Sequence, residues 1–267
     1  MAHQRKISSE RPVIIFLIVD DSGSISDILL GTSDPKYKYV EKYISIILDD
    51  LLDRSTEVAG DEVVIKPRYY FCILLYGSSV KLWGKPVMDI KETVELFSKS
   101  GNSLGLGGHL GGTDSQKALQ EAYDRLQGII SDDKFRDSFP PMVFHLTDGM
   151  SRTDASGIAE QIKHLSTSDG NVLLVNAYIG AQTNLNYQGP EDFPGYLDVS
   201  EVGPSEDNVR LFNMSSQAPE TIEENLKADG IFPQFRSGSR LFFDVRTKDM
   251  LKNVIQVVSS INSRMEK

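Results

Sequence analysis

From Val13 to Val19 every residue is apolar and most are β-branched, and the run stops abruptly at Asp20-Asp21-Ser22-Gly23-Ser24. A short, continuously apolar run bounded by turn residues predicts a strand buried on both faces, as in a parallel sheet. After the polar stretch from Gly31 to Lys36, residues Tyr39, Val40, Tyr43, Ile44, Ile47, Leu48, Leu51 and Leu52 recur at helical spacing. They predict a long amphipathic helix. Arg68 to Tyr76 reads as a second strand, and Val80 to Trp83, after Gly77-Ser78-Ser79, as a short antiparallel partner at the sheet edge. A short helix is expected over Lys91 to Ser98, followed by a glycine-rich loop from Gly101 to Gly112. The next helix, Ser115 to Ile130, carries Ala118, Leu119, Ala122, Leu126 and Ile129 on one face. Another apolar strand, Met142 to Leu146, ends in Thr147-Asp148-Gly149. Ala155 to Leu165 reads as a helix, Val172 to Ile179 and Leu241 to Val245 as strands, and Met250 to Ile261 as a last helix. Strands alternating with helices predict an α/β fold with a doubly wound, mostly parallel sheet, one antiparallel edge strand and helices on both faces.

The segment from Ala181 to Ser239 breaks this rhythm. It holds five of the eleven prolines and many Gly, Asn, Ser and Asp residues. Within it Val209 to Met214 reads as a strand fragment and Glu220 to Lys227 as a helix fragment. Its length exceeds an ordinary connection, which points to an ordered excursion or a binding loop, and its apolar content is too thin for an independent core. The expected organisation is a polar N-terminal segment, 1–12, and a single domain over 13–267 with the excursion at about 181–239. No internal repeat is visible.

With 28 basic against 38 acidic residues the formal charge is -10, so the long-range field repels phosphate backbones and anionic lipid surfaces. Nucleic acid is excluded as an expected partner. No apolar stretch approaches the roughly 18 residues that cross a bilayer, and Met1 to Pro12 lacks an apolar signal-like core. The only cysteine, Cys72, lies in an apolar run and suits a reducing compartment. A cytoplasmic location without membrane insertion is expected.

In an open α/β sheet ligands bind outside the carboxyl ends of the strands, so the residues that close the apolar runs are the ones to collect. Three loops there carry oxygen ligands: Asp20, Ser22 and Ser24 in a D-x-S-x-S pattern, Thr113 after Gly111-Gly112, and Asp148 between Thr147 and Gly149. Two carboxylates and three hydroxyls, with no histidine or thiolate, make a hard-oxygen set suited to Mg²⁺, with Mn²⁺ or Ca²⁺ as alternatives, and unsuited to zinc. Such a set leaves part of the coordination sphere to water, and one water can give way to a carboxylate from another molecule. Asp-x-Ser-Gly-Ser by itself is also ordinary turn and helix-cap chemistry. The two further strand-to-helix loops decide for metal.

In Asp20-x-Ser22-x-Ser24, Thr113 and Asp148 the sequence resembles the von Willebrand factor A domain family, whose five metal-site positions these residues match in order. The resemblance covers Pro12 to about Ile261, less closely over the excursion. Pro140-Pro141-Met142-Val143-Phe144-His145-Leu146-Thr147-Asp148-Gly149 and Leu211-Phe212-Asn213-Met214-Ser215-Ser216 resemble bacterial intracellular TerY-like proteins associated with tellurite resistance. The family resemblance implies a metal-ion-dependent adhesion site in which Ser22 and Ser24 coordinate directly, Thr113 directly or through water, and Asp20 and Asp148 mainly through water. It further implies a protein-binding module that grips an acidic side chain of a partner in a stress-response, signalling or conflict system. The relatives' partners include protein kinases, PP2C-type phosphatases and MoxR-type ATPases. Gly112, Asp114, Gly149 and His109 are candidate partner contacts beside the metal residues.

Other readings of the same residues are open or fail. Asp27 matches the place of an accessory-metal carboxylate in some integrin relatives, or is a first-turn helix aspartate. Asp114 reads as a helix-start residue, and Asp21 either leans toward the site or caps the turn. Gly107 to Thr113 lacks the lysine of a Walker loop and the third glycine of a dinucleotide loop, so its glycines are read as giving the loop freedom to move. His145, inside an apolar strand, reads as a satisfied core histidine, and His3 and His164 show no metal spacing. No nucleophile elbow, HExxH or Cys-His pairing appears. Phosphotransfer or phosphohydrolysis through Asp20 and Asp21 is the alternative, although the lysine of a receiver domain and the second acid of an aspartyl phosphatase are missing. The chain is expected not to be an enzyme.

Overall fold

The computed structural model describes residues 3–149, 151–180 and 183–262. The first apolar run forms β1 (Val13–Asp20), buried along its whole length, and a 3-10 turn over Gly23–Ser26 follows it. Helix α1 (Lys36–Ser55) buries Val40, Tyr43, Ile44, Ile47, Leu48 and Leu51, the stripe expected from spacing. A small hairpin of β2 (Thr56–Ala59) and β3 (Glu62–Ile65) leads to β4 (Tyr69–Tyr76), which pairs parallel with β1 from Val13 opposite Tyr69 to Asp20 opposite Tyr76. Strand β5 (Val80–Asp89) pairs antiparallel with β4. It runs well past the predicted Trp83, because an edge strand tolerates Gly84 and Pro86, which a central strand would not.

Helix α2 (Ile90–Lys99) starts in a capping box of Asp89 and Glu92. The glycine-rich loop then leads to α3 (Ser115–Ile130), a short α4 (Asp133–Arg136) and β6 (Met142–Thr147). Helix α5 (Ser156–His164), the two-residue strands β7 (Ser166–Thr167) and β8 (Gly170–Asn171), and β9 (Leu173–Ile179) come next. Helices α6 (Glu206–Met214) and α7 (Glu220–Ala228), then β10 (Phe242–Val245) and α8 (Lys248–Gln256), complete the order. The main sheet runs β10-β9-β6-β1-β4-β5, parallel except for β5. The chain leaves β1 toward β4 and β5 and returns on the other side at β6, so the order reverses between β1 and β6. A doubly wound sheet opens a ligand crevice at that place.

The excursion corrects one expectation. Its first two residues lie outside the described ones, but the rest is well packed. Phe193, Tyr196, Phe232 and Phe235 are fully buried against Phe242 and Phe243 of β10, with Phe193 and Phe232 ring centroids 5.1 Å apart. The fragment read as a strand, Val209 to Met214, is part of α6, because Asn208, Leu211, Phe212 and Met214 share one buried helical face. Asp244 ties the excursion to the sheet edge: its buried carboxylate accepts from Tyr187 Oη (2.6 Å), Tyr196 Oη and Arg246 Nε (2.6 Å). Cys72 is buried, and burial pushes its thiol up to about 12. Among the described residues no helix is long and apolar enough to cross a membrane.

Candidate functional site

The reversal of strand order brings all five oxygen-bearing side chains together. Asp20 ends β1 and is fully buried, and its Oδ1 accepts from Ser22 N–H at 2.8 Å while Oδ2 accepts from Thr147 Oγ1 at 2.7 Å. Those bonds fix the carboxylate across the β1/β6 crevice and turn the chain so that Ser22 and Ser24 project to the same side. Their hydroxyl oxygens lie 3.2 Å apart, and Ser24 Oγ donates to Asp148 Oδ1 at 2.9 Å. Thr113 is buried just before α3, and its hydroxyl makes no hydrogen bond to protein among the described residues.

Gly149 marks the centre of the cluster. A Cβ built there would lie 2.8 Å from Thr113 Oγ1, 3.3 Å from Ser24 Oγ and 3.7 Å from Ser22 Oγ. Three hydroxyls from two loops therefore converge on a space that only the missing side chain of Gly149, on a third loop, keeps open. Burial raises the Asp20 carboxyl above its ordinary range against hydrogen bonds from Ser22 and Thr147. Burial also raises Asp148, with the Asp20 charge adding to the shift and Lys36 opposing it. Two buried carboxylates, both raised by burial, beside inward-facing hydroxyls form a donor set with excess negative charge and only oxygen atoms. That chemistry fits a hard divalent cation. No group of three or more His, Cys, Asp or Glu side chains is placed to hold a metal among the described residues, so hydroxyls must complete any such set.

Residues that the spacing did not single out support the site. Lys36 Nζ donates to Asp148 Oδ2 at 2.8 Å and to the Ser24 carbonyl at 3.2 Å. Asp21 neither enters the site nor caps a turn: its Oδ1 accepts from the N–H groups of Gly107 and Gly108, each at 2.8 Å. Glu41 Oε1 accepts from Ser103 Oγ at 2.7 Å and from the N–H groups of Leu104, Gly105 and Leu106 at 2.9–3.1 Å. The glycine loop is thus pinned by two carboxylates, which corrects the expectation that its glycines give it freedom to move. Their use is steric: Gly108 has φ of 78°, and a Cβ there would sit 3.0 Å from Ser26 Oγ.

Asp114 is the N-cap of α3, accepting from Lys117 N–H and from Thr153 Oγ1 at 2.8 Å. Asp27 is not in a helical first turn. It follows the 3-10 turn with its side chain exposed, 3.9 Å from Lys36 Nζ. His109 is exposed and folds back over Gly107, and Gly112 lies between Ser78 Oγ and the Arg152 guanidinium. His145 is a satisfied core residue: Nδ1 pairs with Asn176 Oδ1 and Nε2 with Tyr76 Oη, both at 2.8 Å, and burial lowers it to about 4. The Asn176 amide donates to Ser215, so its oxygen faces His145 and the ring is neutral with the proton on Nδ1. His3 and His164 bond to backbone carbonyls away from the site.

No protein-family model matches the chain, and no curated protein matches its sequence. Solved structures do. Proximal thread matrix protein 1 from the mussel byssus aligns at 13% identity with a TM-score of 0.52, over 94% of this chain and 49% of that one. The same protein with a zinc-occupied MIDAS motif, the metal-ion-dependent adhesion site, aligns at 13% identity and a TM-score of 0.50, over 95% and 47%. An aerotolerance-related membrane protein from Bacteroides fragilis, with multiple mutations to serines, aligns at 11% identity and a TM-score of 0.50, over 94% and 100%. The chain thus spans about half the length of the byssus protein and the whole of the Bacteroides structure. At such identities the likeness concerns the fold, and the fold of this chain is the doubly wound α/β fold of the von Willebrand factor A type.

Proposed function

We propose that the chain is a metal-dependent protein-binding module in which Asp20, Ser22, Ser24, Thr113 and Asp148 hold Mg²⁺. The observation that carries the reading is the convergence of three hydroxyls on the space beside Gly149, with the buried carboxylates of Asp148 and Asp20 bonded to Ser24 and to the Ser22 N–H beside it. A bound divalent ion supplies a Lewis-acidic centre whose open coordination position accepts an anionic oxygen from outside. Ser22 and Ser24 donate neutral oxygens, so they add no charge to quench that centre. Asp20 and Asp148 balance the charge from behind, each already held by a hydroxyl or an N–H group. An acidic side chain of a partner protein is the matching ligand. The zinc-occupied motif of the byssus protein supports the choice of place, while the all-oxygen set here favours Mg²⁺ or Mn²⁺.

Asp20 and Asp21 do not make an acidic pair, because Asp21 is spent on the glycine loop. That favours binding over phosphotransfer, and we propose that the chain is no enzyme. The TerY-like resemblance extends the proposal to a cytoplasmic role beside a Ser/Thr kinase, a PP2C-type phosphatase or a MoxR-type ATPase. Gly112, Asp114, Gly149 and His109 are the proposed partner contacts. Affinity capture from a native lysate in Mg²⁺ or in EDTA, with wild type and Asp148→Ala, tests the reading. A partner retained only by wild type in Mg²⁺ is expected; identical captures in all four conditions contradict it. Turnover of phosphomonoesters or nucleoside triphosphates that Asp20→Ala abolishes would favour the enzymatic alternative.

A further inference from the structure

Lys36 stands where a lysine is ordinarily unwelcome. It is the first residue of α1, at the positive end of the helix dipole, and no acidic residue lies in that first turn. Its side chain is only 13% exposed, although lysine is among the residues least often buried. The compensation comes from the candidate metal site. Nζ lies 2.8 Å from Asp148 Oδ2, 3.2 Å from the Ser24 carbonyl and 3.9 Å from Asp27 Oδ2, and the Asp148 side chain is wholly shielded from solvent.

We propose that Lys36 is a tethered cation that holds the site together in the absence of metal and competes with the divalent ion for Asp148. The inference rests on the reading of this cluster as a metal site. Asp27 is 71% exposed at its side chain and screened by water, so the charges that count are the shielded ones: Asp20, Asp148 and Lys36 sum to one negative charge, and without Lys36 to two. A divalent ion therefore enters a less negative site than the two carboxylates alone would offer, and it repels the ammonium. The metal-loaded site with Lys36 carries a net positive charge, which favours an anionic ligand from outside. Lys36 in this way trades metal affinity for attraction of an acidic partner, and it spares Asp148 the cost of an unpaired buried charge when no metal is bound.

Calorimetric titration of the full chain with Mg²⁺ tests the proposal in wild type, Lys36→Met, Lys36→Gln and Asp148→Asn. Removing a positive charge within a few ångströms of the carboxylate should tighten Mg²⁺ binding roughly tenfold or more in both Lys36 variants. Their melting temperature in EDTA should fall below that of wild type, and Mg²⁺ should close the gap. Binding by Lys36→Met that is equal to or weaker than wild type overturns the proposal and makes Lys36 a support that orients Asp148 for the metal. Wild type that binds no Mg²⁺ overturns the metal site itself. If neither variant folds, amine labelling of wild type decides: faster acylation of Lys36 on adding Mg²⁺ is expected, and an unchanged rate refutes competition.

Discussion

Substituting Gly149 by alanine separates the site from the fold. The backbone there does not require glycine, because its φ lies outside the left-handed region. Alanine restricts the unfolded chain more than glycine does, which by itself stabilises by about 0.4–1 kcal/mol. Against this, the new methyl would stand 2.8 Å from Thr113 Oγ1, closer than carbon and oxygen tolerate, so Thr113 must move. The two effects oppose each other, and the stability of the metal-free protein should change by less than about 1 kcal/mol. Metal binding should suffer far more, because the methyl fills the space on which the hydroxyls converge. With free Mg²⁺ at a hundred times its Kd, wild type gains about 2.7 kcal/mol by mass action. For a chain of this size that raises the melting temperature by about 5–10 °C. In Gly149→Ala the gain should drop below about 0.5 kcal/mol, a shift under about 2 °C. Scanning calorimetry in EDTA and in Mg²⁺, with circular dichroism as the fold control, measures both quantities. A variant with wild-type stability in EDTA and an undiminished Mg²⁺ shift would mean that the metal does not sit beside residue 149.

Three further outcomes are expected. His145 has its folded pKa lowered to about 4 from 6.5, so the unfolded chain takes up the proton first and stability falls as pH drops from about 6.5 to 4, by about 3 kcal/mol. Asp20 and Asp148, raised in the fold, act with the opposite sign, so the difference between wild type and His145→Gln in urea titrations across this range isolates the histidine; equal slopes refute the assignment. Asp244→Ala removes the carboxylate shared by Tyr187, Tyr196 and Arg246, which keep only their bonds to the residue 244 carbonyl, to Thr183 and to Leu185, and should cost about 2–3 kcal/mol, with early proteolysis between residues 183 and 196; a loss under about 1 kcal/mol contradicts the clamp. Glu41→Ala removes the acceptor shared by Leu104, Gly105 and Leu106, so amide exchange should accelerate over residues 103–108 and stay unchanged in β1 and β6; an unaltered loop contradicts the pinning.

The central sheet was legible because its strands are buried on both faces, and Val13 to Val19 and Met142 to Leu146 show this as unbroken apolar runs. The clustering of the oxygen-bearing side chains was legible for a related reason: polar residues that end such runs lie at the carboxyl edge of the sheet. What the chain hides is long-range pairing. Lys36 and Asp148 are 112 residues apart, and nothing near Lys36 announces its partner. Glu41 looks like any exposed charge on an amphipathic helix until four donors from residues 103–106 close on it. Val209 to Met214 misled because aromatic and β-branched residues in a short fragment suit a strand, and only the burial of Asn208 one turn before Leu211 betrays the helix. The aromatic core of the excursion was missed because its rings are scattered among prolines and glycines and cluster only in three dimensions.

Manganese binding followed by electron paramagnetic resonance shows whether these five residues hold a metal, because free and bound Mn²⁺ give distinct signals and the bound fraction can be counted per chain. One Mn²⁺ per chain is expected, displaced by excess Mg²⁺, with no stoichiometric binding in the Asp20→Asn, Asp148→Asn double variant with its fold intact. Undiminished binding of one Mn²⁺ by that variant would place the metal elsewhere in the molecule.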